Sequence, residues 1–114
     1  MIIISLPRTT IPAHASRVRV CVDSHCNGKV SRVYAAKAPG LLLCAMIIGT
    51  YNGAIGDGVT LEHGLMLDWP EDERPNVPIG FPLQAEFSNT TPTAIVLQGF
   101  AFVVHQPVER YDFR

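Results

Sequence analysis

The stretch from Val77 to Val104 constrains the fold more than any other part of the chain. Phe81, Leu83, Ala85 and Phe87 fall on one side of an extended backbone, and Pro82, Gln84, Glu86 and Ser88 on the other. Successive side chains of a strand point to opposite faces, so this alternation describes a strand with one dry face and one wet face. A polar, turn-prone Asn89-Thr90-Thr91-Pro92 follows, and then Thr93 to Val104, dense in Ile, Val and Phe. The two runs predict a hairpin or a sheet-crossing unit at the centre of an all-β domain. In the second run Ile95 and Leu97 share a face before Gly99, and Phe100, Phe102 and Val104 share one after it. A β-bulge at Gly99 would reconcile the halves.

Upstream, the same grammar recurs in shorter words. Ile2 to Leu6 reads as a first strand stopped by Pro7, and Pro12 bars Thr9 to Ala15 from a central ladder. Val18, Val20 and Val22 alternate with Arg19 and Cys21. Asn27-Gly28 suits a type I′ turn, because both central residues of that turn need positive φ. Lys29 to Ala36 is then the returning strand, with Val30, Arg32 and Tyr34 on one face and Ser31, Val33 and Ala35 on the other. Pro39-Gly40 marks another turn. Leu41 to Tyr51 is apolar on both faces, which predicts a central strand, with a buried helix as the rival reading. Asn52-Gly53 and Gly56-Asp57-Gly58 read as a glycine-rich loop, and Pro70 to Pro78 as a long acidic loop. The expected core comprises Val18, Val20, Val22, Leu43, Ile47, Leu83, Phe87, Ile95, Leu97 and Phe102.

Composition narrows the function classes. A length of 114 residues suits one domain with a core of its own, spanning residues 1–114. The net charge of −1, with scattered Lys and Arg, argues against a nucleic-acid partner. No apolar run approaches the roughly 18 residues of a membrane span, and the apolar N-terminus lacks the basic region of a signal peptide. Three cysteines without framework spacing point to a reducing compartment.

Motifs for chemistry are thin. Cys21, His25 and Cys26 lie close together, yet zinc needs about four ligands and Cys44 sits in an apolar run. Asp68, Glu71, Asp72 and Glu73 resemble a calcium loop less than a solvated acidic run beside Arg74. No nucleophile elbow surrounds any serine, and no His-x-His pair marks a cupin-type metal site. The chain is therefore expected to be no enzyme and to use no cofactor or metal. The aromatic and polar set Tyr51, Asp68 and Trp69 is the candidate ligand site, because sugars stack on exposed aromatics flanked by polar groups. The bland alternative makes Trp69 a core-edge residue.

The segment Val77-Pro78-Ile79-Gly80-Phe81-Pro82-Leu83-Gln84-Ala85-Glu86-Phe87-Ser88-Asn89-Thr90-Thr91, followed by Ala94 to Phe102, resembles a cadence of small jelly-roll or sandwich proteins of bacteriophage virions. Thr9-Thr10-Ile11-Pro12-Ala13 adds a weaker echo. The likeness is one of strands and turns, so it carries no functional residue across. It implies an antiparallel β-sandwich of jelly-roll type that self-assembles, commonly as a trimer or larger ring, with a structural role. The residues agree with such a role at both termini. Ile2, Ile3 and Ile4 form a strand without charge or proline, and Tyr111 and Phe113 alternate with charges in the tail. The expectation is a non-enzymatic virion subunit (capsid, decoration or spike) contacting copies of itself and other virion proteins. If the chain is not viral, a cytoplasmic location is expected. The alternative is a small carbohydrate-binding sandwich.

Overall fold

The computed structural model describes residues 1–24, 27–49 and 51–106, with residues 51–57 described by their backbone alone. Among these residues the regular structure is β-strand, apart from a 3₁₀ turn at Glu71–Glu73. The strands are β1 (Ile2–Ser5), β2 (Thr9–Ile11), β3 (Val18–Asp23), β4 (Gly28–Ala35), β5 (Leu41–Ile48), β6 (Tyr51–Thr60), β7 (Leu65–Asp68), β8 (Asn76–Val77), β9 (Pro82–Asn89), β10 (Ile95–Leu97) and β11 (Ala101–His105). One sheet runs β1-β11-β4-β7, with β8 also paired to β4; a second runs β3-β9-β5-β6; β2 and β10 form a two-stranded ribbon. All these strand pairings are antiparallel.

One apolar cluster joins the sheets into a sandwich-like body. Val30, Val33, Phe102 and Val104 enter it from the first sheet, Leu41, Leu43, Met46, Ile48, Leu83 and Phe87 from the second, and Ile11 and Leu97 from the ribbon. Phe100 lies between the sheets, edge-on to Phe87 at 5.4 Å and to Phe102 at 5.6 Å. Such edge-to-face contacts fix ring positions beyond what burial alone supplies. At the open end of β9, Asn89 is buried and saturated. Its amide nitrogen donates to the carbonyls of Ile11 (3.1 Å) and Thr93 (2.8 Å), and its oxygen accepts from the backbone N–H and hydroxyl of Thr91. This side chain therefore closes the turn that the sequence placed there.

Of the two forms expected for the runs either side of Asn89-Pro92, the structure takes the sheet-crossing one and not the hairpin: β9 belongs to the second sheet, β10 pairs with β2, and β11 lies in the first sheet. Several other expectations are corrected. The register change at Gly99 is no bulge. The strand ends at Leu97, and a new one in another sheet starts at Ala101, with Gly99 at φ +70° and Phe100 turned into the core. Asn27-Gly28 does not close a hairpin, because β3 pairs with β9 while β4 pairs with β11, β7 and β8. The chain reverses directly after Ile48, which lies opposite Tyr51, rather than running on to Tyr51 in one strand. Gly49 permits this with φ +57°, and a Cβ there would collide with the Asn76 carbonyl. Beyond it, the expected glycine-rich loop lies within β6: Asn52 and Gly53 pair with Ile47 and Met46 of β5, and residues 55–58 span the register shift without partners on that strand.

Two bulges explain the faces that alternation assigned wrongly. On β4, Arg32 opposes Val103 and Val30 opposes Val104, leaving Ser31 as the extra residue. Ser31 and Arg32 consequently both face outward, and Val30, Val33 and Ala35 are all buried. On β5, Leu43 opposes Phe87 and Ala45 opposes Glu86, so Cys44 is the extra residue. The buried positions shift from Leu41 and Leu43 to Met46 and Ile48, which leaves Ile47 only half-buried. Val18, Val22 and Ile95 are half-buried against the core edge, and Phe81 sits exposed in the loop before β9.

Candidate functional site: a cleft on the outer face of one sheet

The pleat of the first sheet sends one cross-strand row outward: Ile3 opposite Val103, Val103 opposite Arg32, Arg32 opposite Asp68. The next row carries Ser5, Ala101, Tyr34 and Met66. A cleft of about 530 Å³ opens over these rows, lined by Met1, Ile3, Ser31, Arg32, Tyr34, Asp68, Trp69, Arg74, Val103 and His105. A second cleft of about 340 Å³ adjoins it, lined by Asn27, Gly28, Lys29, Glu71, Arg74, Asn76, His105 and Gln106. Arg74 and His105 belong to both, and so stand where the clefts meet.

The β4 bulge builds the centre of the site. It presents Ser31 beside Arg32, and the Ser31 hydroxyl lies 2.8 Å from His105 Nε2. The Ser31 carbonyl accepts from the Trp69 backbone N–H at 2.9 Å, which carries the chain past the end of β7 and holds Trp69 at the cleft. Arg32 Nε donates to Asp68 Oδ1 at 2.5 Å, with Nη2 3.5 Å from Oδ2. That bond, and then the carboxylate's charge, raise the Arg32 pKa. The guanidinium therefore keeps its proton at every pH at which the protein is handled. Arg74 follows the Glu71–Glu73 turn in extended backbone, and Pro75 next to it accepts from the Val30 N–H at 2.9 Å. The Arg74 backbone is thus anchored against β4. Its Nε is buried and has no hydrogen-bond partner. At the floor of the adjoining cleft, a Cβ on Gly28 would come within 2.8 Å of the His105 carbonyl and 2.5 Å of Val104, so only glycine fits.

Asp68 and Trp69, two members of the expected ligand set, do meet at this cleft. Tyr51 does not: its backbone lies in β6 of the other sheet, and its side chain is outside the described residues. Trp69 is half-buried and packs against the core as well as lining the cleft, and Tyr34 is the aromatic in the outward rows. Ile2 and Ile4 turn inward against the core, while Ile3 is 53% exposed. Tyr111 and Phe113 lie outside the described residues, as do His25 and Cys26. Among the described residues no helix is long and apolar enough to cross a membrane. No family model, characterised protein or solved structure matches the chain, so the site is read from its own geometry.

Ser31, Tyr34, Arg74 and His105 escaped the sequence reading. For Ser31 a signal existed. Val30-Ser31-Arg32-Val33 places two polar residues between two valines inside an alternating strand, which is the pattern of a bulge that aims both outward. Arg74 and His105 reach the site only through sheet topology, which no local pattern encodes.

Proposed function

We propose that the chain is a non-enzymatic structural subunit that assembles with copies of itself through the β1 edge, in a jelly-roll type sandwich and as part of a virion. The observation that carries this reading is β1 itself. It pairs with β11 on one side and is the edge of its sheet on the other. It holds neither charge nor proline, and it exposes Ile3 (53%), with Met1 just before it 79% exposed. Monomeric proteins blunt such edges, because unpaired N–H and C=O groups beside apolar side chains template pairing with another chain. The opposite edge of the same sheet, β7, exposes Met66, so head-to-tail association would join two unlike edges and close into a ring. Strand neighbours that are far apart in sequence, β1 with β11 and β3 with β9, favour the jelly-roll wiring. The virion assignment rests on the cadence of the Val77–Phe102 region. Light scattering on the purified chain tests assembly, with a multimer expected for the wild type and a monomer for Ile3→Lys.

A second reading, a carbohydrate-binding module, is favoured by the cleft that brings Asp68 and Trp69 together with Tyr34. The chain has a single tryptophan, and it lines this cleft. Intrinsic fluorescence therefore reports directly on occupancy. A saturable change on titration with sugars is expected, and a flat response across a sugar panel would remove the reading.

A further inference from the structure

We propose that the paired clefts take a carboxylate-bearing saccharide of the uronic acid class, with Arg74 holding the carboxylate; this rests on the carbohydrate reading of the same site. Three other arginines are neutralised locally. Arg17 and Arg19 both bond Glu86, at 3.2 and 3.1 Å, and Arg32 bonds Asp68. Arg74 has no carboxylate within ion-pair distance among the described residues, and its Nε is shielded from water without a partner. Arg74 is half-buried and lines both clefts, so its uncompensated charge is within reach of an anion that enters them.

The surroundings select the anion. Lys29, Arg32 and Arg74 face Asp68 and Glu71 across the two clefts, three cations to two carboxylates, in a chain whose overall charge is −1. A planar guanidinium matches a carboxylate with two parallel hydrogen bonds, which a neutral hydroxyl cannot reproduce. The Ser31–His105 pair and Tyr34 supply polar groups for ring hydroxyls, and Val103 offers an apolar floor for the C–H face of the ring. The anchoring of Pro75 to Val30 keeps the Arg74 backbone in place before any ligand binds.

The test is a fluorescence titration of the full chain with galacturonic acid oligomers and with neutral galactose oligomers of equal length. The acidic oligomer is expected to bind tighter by about tenfold or more, with the advantage shrinking as salt rises. Arg74→Ala should abolish the advantage while circular dichroism stays unchanged, and Arg74→Lys should restore only part of it. Equal affinity for acidic and neutral oligomers, or an advantage that survives Arg74→Ala, would overturn the Arg74 assignment and leave the carbohydrate reading standing. No response to either oligomer would overturn both.

Discussion

The two large sheets use one backbone device to opposite ends. Each has a strand with a single extra residue, Ser31 on β4 and Cys44 on β5; the first turns Ser31 and Arg32 outward together, and the second shifts the buried set from Leu43 to Met46. On the second sheet the outward groups satisfy one another. Glu86 takes both Arg17 and Arg19, and the Ser88 hydroxyl takes the Arg17 backbone N–H and lies 3.3 Å from Cys44 Sγ. On the first sheet the outward groups line two clefts and leave Arg74 unpaired among the described residues. A bulge is thus not functional in itself. The bulge residues are paired on both sheets, and what separates the faces is the two clefts on the first, with Arg74 standing between them without a carboxylate partner among the described residues.

The comparison breaks most severely if the layer joining the sheets is removed. Phe87 is fully buried opposite the start of the β5 bulge and meets Phe100 edge-on. Phe87→Ala should cost on the order of 3–5 kcal/mol in urea unfolding, and an unchanged midpoint would show that the two faces are not held by a shared core. Asn89→Ala comes next. It strands the Ile11 carbonyl and the Thr91 N–H, for a loss of about 2–3 kcal/mol. Deleting a bulge residue sharpens the contrast directly. Loss of Ser31 removes the bonds to His105 and to the Trp69 N–H, so it should destabilise by about 2 kcal/mol and abolish any ligand response. Deletion of Cys44 removes the weak sulfur contacts to Leu42 and Ser88 and should cost about 1 kcal/mol with the response intact. Equal effects from the two deletions would mean that the bulges are interchangeable. The smallest effect is expected for Arg19→Ala. Its side chain is more than half exposed, and exposed ion pairs contribute under about 1 kcal/mol.

Much of the fold was legible wherever burial imposed alternation. In β9 the odd-numbered residues from Leu83 to Asn89 are buried and the even-numbered ones half-exposed. Alternation misled where a strand carried an extra residue, and beyond the strand end at Phe81. On β4 the Ser31-Arg32 step between valines left a trace, whereas Leu43-Cys44-Ala45-Met46 offers no polar contrast from which a bulge could be read. Turn chemistry misled in another way. Asn27-Gly28 has the composition of a hairpin, but the partners of β3 and β4 are set by burial against strands from the far end of the chain. The site was legible in part for the same reason. Asp68 and Trp69 are neighbours in sequence, while Arg74, His105 and Ser31 are gathered by pairings across some 74 residues.

The central claim is that the β1 edge joins one copy of the chain to another. Multi-angle light scattering of the wild type beside Ile3→Lys, across a range of concentrations, tests it most directly. Ile3 points away from the core, so the lysine leaves the fold intact while placing a charge on the edge. The account predicts a closed oligomer for the wild type and a monomer with unchanged circular dichroism for the variant. A wild-type chain that stays strictly monomeric at the highest concentration, or a variant that assembles as well as the wild type, would contradict it.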